Sequence, residues 1–393
     1  MSGTSIQIKV VLLSASSMTV MAGALITPVL PDIGRHFSDW PDVWVKLIIT
    51  LPALFIALFS PLMGWLADRY GRLPVLKTCL LIYALAGAAG GLVDTLGWML
   101  LTRALLGIGV AGIMGIATTL IGDYFTGQAR QRFMGLQGSF MALGGVIYIN
   151  LGGGLALISW RAAFMVYLAG LLVWLLAWLY LREPARKTLS DPLTDSMNPP
   201  AFPWRQVLPV YALGFAAMSL FYMLPAQMPF LLVQRFDASS LQTAWVISSS
   251  TLAGALAGYL FGGFKNHLSH ARIYALAFLL FATGYLLASL VPWYSLMLLA
   301  VMVSGFGAGM TFPAGNHWLL QLAPEAFRGR VMGGFASVFF TGQFLSPLLV
   351  APVELRVGLT GAFQVAALLA LVLSVLLLWR PPARASSAGD GQS

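Results

Sequence analysis

The chain is short of charge. Only 9% of its 393 residues are Asp, Glu, Lys or Arg, and 59% are hydrophobic; an average soluble domain carries about 25% charged residues. So few ionic groups cannot cover a soluble globule of this size, which excludes a water-soluble enzyme, and so apolar a chain is not intrinsically disordered. Cysteine is almost absent: Cys79 stands alone inside an apolar run, so no intramolecular disulfide forms. No Cys/His constellation implies a metal, no cofactor is implied, and no paired carboxylates or histidine cluster supply the catalytic set that a membrane enzyme needs.

What the chain has is apolar length. Mean hydropathy is +0.84, and hydrophobic segments fall near 9–31, 44–66, 74–93, 97–121, 133–157 and 161–181, then 206–233, 242–264, 272–291, 293–320, 331–352 and 358–379. Each suits the roughly 20 apolar residues that cross a bilayer. They predict an all-α integral membrane protein of twelve transmembrane helices in two six-helix bundles, 1–181 and 206–380. Lys9 is the only basic residue ahead of a long first segment, so that segment reads as a transmembrane helix and not a signal peptide. The polar, proline-rich stretch 182–205 reads as an inter-domain linker and 381–393 as a disordered tail.

The net charge of +9 is scattered between apolar segments and does not form a nucleic-acid patch. With the N-terminus inside, the cytoplasmic loops hold sixteen of the 22 Lys and Arg, the outer loops hold five, and Arg103 is left within a span. The positive-inside rule therefore places both termini in the cytoplasm. The halves also repeat at a constant offset of 198: Gly107 meets Gly305, Gly109 meets Gly307, Arg130 meets Arg328, Arg132 meets Arg330, Met134 meets Met332 and Gly135 meets Gly333. Two parallel six-helix repeats with a substrate site between them describe a secondary transporter.

The strongest local signal is GWLADRYGRLPVL (64–76), between the second and third spans. Gly64 permits close helix packing, Asp68 and Arg72 have i,i+4 spacing, Gly71 allows a tight turn and Pro74 suits a helix start. Topology alone also accounts for a basic loop here. The segment resembles the G-x-L-A-D-R-x-G-R-[KR] signature of the major facilitator superfamily, with Gly64, Asp68, Arg69, Gly71 and Arg72 matching and Leu73 in place of the commoner basic residue. The resemblance implies a charge relay that holds the outward-facing state against the start of span 11, near Gly329 to Gly333. The equivalent loop, GYLFGGFKNHLSH (258–270), has Gly262 where the acid would stand.

Arg103, in R-x-x-x-G-x-G-x-A with Gly107, Gly109 and Ala111, resembles the family's span-four motif, whose arginine is linked to proton transfer in drug antiporters. The other reading is an arginine snorkelling to the outer interface. Asp32 in TPVLPDI (27–33) is the nearest candidate counter-charge. Span 5 lacks the Gly-Pro pair of drug antiporters and reads Ile149-Asn150-Leu151-Gly152-Gly153-Gly154, a glycine run able to bend the helix. Asn150 there serves either a ligand or an inter-helix bond.

Polar groups within the spans are few. Gln137, Asn150, Gln227, Asn316, His317 and Gln343 lead them, the whole chain has four asparagines, and no carboxylate falls mid-span. Sugars and amino acids need more directed hydrogen bonds than this, and a strong cation lacks a counter-ion, so neutral or amphiphilic solutes fit better. Asn150, Gln227, Asn316 and Gln343 are the candidate cavity residues. For protons the candidate carriers are His317, Asp32 and Asp123, each of which also has an ordinary structural reading.

Together these features predict a transporter of the cytoplasmic membrane, not an enzyme, monomeric as the family resemblance implies. It would work by alternating access, with protons driving efflux of small amphiphilic or drug-like compounds. A proton symporter or facilitator importing a small metabolite is the alternative.

Overall fold

The computed structural model describes residues 6–184 and 202–379. Most of the expected linker and all of the expected tail 381–393 lie outside the described residues. Eleven helical stretches are long and apolar enough to cross a membrane: Ile6–His36, Asp42–Tyr70, Arg72–Ala89, Leu96–Tyr124, Gly127–Ala156, Trp160–Tyr180, Trp204–Phe236, Ser240–His267, His270–Leu290, Tyr294–Leu322 and Arg328–Trp379. The last runs for 52 residues, about 78 Å of helix at 1.5 Å per residue, against a hydrocarbon core of about 30 Å. It turns at Gly358, whose φ of +71° is a left-handed value that glycine adopts without strain. Spans 11 and 12 are thus 328–357 and 359–379, which gives twelve spans among the described residues, in the order expected.

Prolines set two breaks that shape the centre. In span 1 the helix ends at Ala24 and resumes at Leu30 after a 3-10 turn at Thr27–Val29; Pro28 has no N–H for the Ala24 carbonyl. In span 7 the helix breaks at Tyr222, between Trp204–Phe221 and Met223–Phe236, where Pro225 cannot bond back to Phe221. Span 5, by contrast, is one unbroken helix over Gly127–Ala156. Its glycines do not interrupt it; they let other backbones approach.

Buried apolar side chains form one cluster drawn almost wholly from residues 11–181, two drawn from 207–370, and a small one in which Ile149 of span 5 meets Ala244 and Ile247 of span 8. The 198-residue register runs through this packing. A Cβ on Gly107 would lie 2.6 Å from the Pro52 carbonyl oxygen, and Gly305 is pressed in the same way against Ser250, 198 residues after Pro52. A Cβ on Gly109 would lie 2.9 Å from the Cys79 oxygen, and one on Gly307 2.7 Å from that of Ala277, again 198 residues on. Spans 4 and 10 thus meet spans 2 and 3, and 8 and 9, by the same glycine contacts.

The halves meet at the end bearing the 1–2, 7–8 and 11–12 connections. There Lys46 Nζ of span 2 donates to both Glu354 oxygens of span 11, at 2.8 and 2.7 Å. Ser240 Oγ of span 8 donates to Asp32 Oδ2 of span 1 at 2.6 Å, and Gly153 of span 5 lies against Ser240 and Ala244. Towards the opposite, basic end, Gly64, Gly135, Gly138, Gly262, Gly263, Gly329 and Gly333 of spans 2, 5, 8 and 11 have open space where a side chain would stand.

Candidate functional site

Beneath the closed end, spans 1, 2 and 5 face spans 7, 8 and 11 across an open cavity. The two proline breaks place Thr27 and the Tyr222–Pro225 corner at its wall. Val20, Ile49, Ile56, Ile149, Ile247 and Phe340 make the lining largely apolar, and no Asp, Glu, Lys, Arg or His lines it. The threonine hydroxyls are used within their own helices: Thr19 donates to Ser16 O, Thr27 to Gly23 O and Thr251 to Ile247 O. An ion entering such a cavity would lose its hydration with no counter-charge in the lining to replace it.

Of the four candidate cavity residues, Gln343 lines it and the others do not. Asn150 Nδ2 donates to Val146 O, one turn back on its own helix, at 2.8 Å. Gln227 is 0% exposed and its amide has no hydrogen-bond partner among the described residues. Asn316 is half-buried in span 10, away from the cavity. Gln137 Nε2 donates to Ser16 Oγ at 2.8 Å, joining spans 5 and 1.

Arg103 is 0% exposed, so it does not snorkel. Nor is Asp32 its partner, since that carboxylate pairs with Arg35 and accepts from Ser240. Arg103 Nη2 instead donates to the carbonyls of Ala86 and Gly87 at 3.1 and 2.8 Å, in the last turn of span 3. Its guanidinium lies 5.0 and 5.3 Å from the ring centres of Phe164 and Tyr167 in span 6. A helix C-terminus leaves carbonyls unbonded and carries partial negative charge, which explains why a cation is stable there. In the second half Val301 takes its register position, and Arg235 of span 7 bonds the carbonyls ending span 9, Ala288, Ser289 and Val291. Arg103→Ala is therefore expected to destabilise the fold by about 2–5 kcal/mol, read as a lower melting temperature of the detergent-solubilised protein. An unchanged midpoint would remove this capping role.

His317 is not a lone histidine. Its Nδ1 lies 2.9 Å from Nε2 of His270, the first residue of span 9, and the His270 ring stacks on Trp318 at 5.5 Å. Asp123 is paired with Arg72. Gly71, at φ +102°, ends span 2 between Asp68 and Arg72, so the two do not share one continuous helix. Glu183, just past span 6, accepts from the backbone N–H of Arg72 and Leu73 at 2.6 and 2.8 Å, capping span 3. The Arg69 guanidinium lies 5.5 Å from the Trp65 ring centre. Gly64, Asp68 and Arg72 border a gap towards Gly112 and Gly115 of span 4.

Sequence reasoning passed over the Lys46–Glu354 pair. Lys46 is 1% exposed, although the positive-inside count gave it to an outer loop. A cation two residues inside an apolar run was the available signal; the partner, 308 residues away, had none.

Two helical repeats around an uncharged central cavity, joined at one end and apart towards the other, define a membrane carrier. Residues 12–234 and 210–393 match the family model of the Major Facilitator Superfamily, and the chain belongs to that family. It is a secondary transporter that binds a small-molecule substrate in a lipid bilayer, and not an enzyme. It is 24% identical over 385 residues to multidrug resistance protein 1 of Bacillus subtilis, covering 95% of this chain and 96% of that one. A niacin transporter of Acinetobacter baylyi is 39% identical, but over 100 residues only, 25% of this chain and 23% of that one. Among solved structures, a bacterial homologue of the human lysosomal transporter Spinster, inward-facing and occupied, superposes with a TM-score of 0.74 at 21% identity over 94% of both chains. That last likeness concerns the fold alone.

Proposed function

We propose that this protein exports small, uncharged amphiphilic compounds from the cytoplasm, driven by protons. The observation that carries the reading is the largely apolar, uncharged cavity between the halves, and similarity along nearly the whole chain to a multidrug resistance protein supports it. With the basic loops in the cytoplasm, the arrangement described is inward-facing. A compound entering from the cytoplasm or inner leaflet reaches the cavity, and rocking of the halves breaks the Lys46–Glu354 and Asp32–Ser240 contacts to release it outside.

The signature loop gains a role in the same scheme. As the outer end opens the basic ends converge, and the start of span 11 comes down on Gly64 and the gap beside Asp68. Asp32 is the group assigned to proton uptake, because its carboxylate bridges the halves and meets external water once they part.

The test is movement of an amphiphilic fluorescent dye in cells and in everted vesicles, with and without an uncoupler. Wild-type protein is expected to drive uncoupler-sensitive extrusion, and Asp32→Asn at equal membrane level to fall to the empty-vector rate. Absence of extrusion for every dye tried, with uptake of a metabolite in its place, would favour import. The short match to a niacin transporter and the missing Gly-Pro pair in span 5 make that the second reading.

A further inference from the structure

The hydrogen-bonding groups of the cavity are unevenly divided between its walls. The first half offers Thr19 and Thr27, whose hydroxyls are bonded within span 1, and otherwise apolar or glycine surface such as Val20, Ile49, Pro52 and Ile56. In the second half Thr251 is likewise bonded within its own helix, and Ser250, which also borders the cavity, has a buried hydroxyl turned towards Gly305 of span 10 with no hydrogen-bond partner among the described residues. Two more accessible groups remain. The Gln343 amide of span 11 and the Tyr222 hydroxyl of span 7 both line the cavity and have no hydrogen-bond partner among the described residues.

Their placement follows from how spans 7 and 11 cross. Ser219 Oγ donates to Gly342 O at 3.2 Å, and Ser346 Oγ to Ser219 O at 2.7 Å. Gln343 is next to the first of these contacts and Tyr222 one turn beyond Ser219, so both border the same cavity, with the Tyr222 hydroxyl reaching across to Gly23 of span 1. A primary amide and a phenol each donate and accept. An uncharged partner with a donor and an acceptor at one end satisfies both, whereas an apolar solute leaves two polar groups unpaired.

We infer that Gln343 and Tyr222 form a polar subsite for the head of the transported compound. The preferred substrate is then a neutral amphiphile with a carboxamide-like end held between Gln343 and Tyr222 and an apolar body against the rest of the lining. The inference rests on the reading of the central cavity as the substrate site. It is independent of transport direction and of the coupling ion.

The experiment measures equilibrium binding to the full chain in detergent with two matched probes, 2-naphthamide and the near-isosteric hydrocarbon 2-isopropylnaphthalene. Tyr222→Phe removes one oxygen, and Gln343→Met keeps length and volume; size-exclusion profiles establish that both variants are folded. The expected result is an about three- to tenfold weaker affinity for 2-naphthamide in each variant, with hydrocarbon affinity unchanged or improved. Equal losses for both probes would make the residues structural and overturn the assignment, as would unchanged affinities or failure of the wild type to prefer the amide. Amide-selective binding without dye extrusion would leave this subsite standing and count against the export reading alone.

Discussion

Glu354→Gln is expected to drive the protein out of the arrangement described here, towards one open at the opposite end. The ammonium of Lys46 is 1% exposed and held by both oxygens of Glu354, with the Phe230 ring centre 4.9 Å away. Removing the carboxylate leaves a buried, uncompensated cation, at a cost of about 3–5 kcal/mol, on the order of 100-fold or more in population. Parting the halves hydrates it. Lys46→Met should act much more weakly, because the Glu354 side chain is 21% exposed and can turn to water. A double change to methionine at both sites should restore closure. The readout is labelling of Thr27→Cys, in a Cys79→Ala background, by a membrane-impermeant maleimide added outside cells; Thr27 is 2% exposed beneath the closed end. Labelling about 100-fold faster in Glu354→Gln and only a few-fold faster in Lys46→Met would fit. Equal rates in all variants would show that the pair does not hold the halves together.

Gly153→Val should produce the same open state by steric means. A Cβ at Gly153 would stand 2.6 Å from the Ala244 Cβ and 2.7 Å from the Ser240 carbonyl oxygen, both in the other half. Overpacking costs about 1–3 kcal/mol where side chains can yield, and here the obstruction is largely backbone. The halves can nevertheless separate, so relief is available without unfolding. Transport is expected to fall to background with fast outside labelling and a near-normal melting temperature. Gly152→Val is the contrast. Its neighbour is the carbonyl of Leu25 in the same half, which no rocking motion relieves, so expression and melting temperature should both drop. If the two variants behaved alike, the division between contacts within and across halves would be wrong.

These predictions depend on features unequally visible in the sequence. Twelve spans, the 198-residue register and the loop motif are local or periodic patterns, and hydropathy suffices to find them. Which polar residues face the cavity was not legible, because helices apolar on every side carry no reliable phase. Hence Gln343 reaches the cavity while Asn150 turns onto its own helix and Gln227 is walled in. Pairings over long separations were hidden for another reason. Sequence displays charges but not backbone carbonyls, so Arg103 suggested a carboxylate partner when the end of span 3 was waiting for a donor. His270 and His317 sit 47 residues apart, and nothing in either segment points to the other.

The paired glycine contacts of spans 4 and 10 bear on how motion can be followed. Backbones in contact through glycine have no side chain between them to compress or swing aside, so spans 2 to 4 and 8 to 10 are each clamped at fixed spacing. The alternation then reduces to one angle, the tilt of the first block relative to the second. A spin label on each block, at opposite ends of a line crossing the cavity, is enough to trace that coordinate through the cycle. Two labels on one block should keep the same separation throughout.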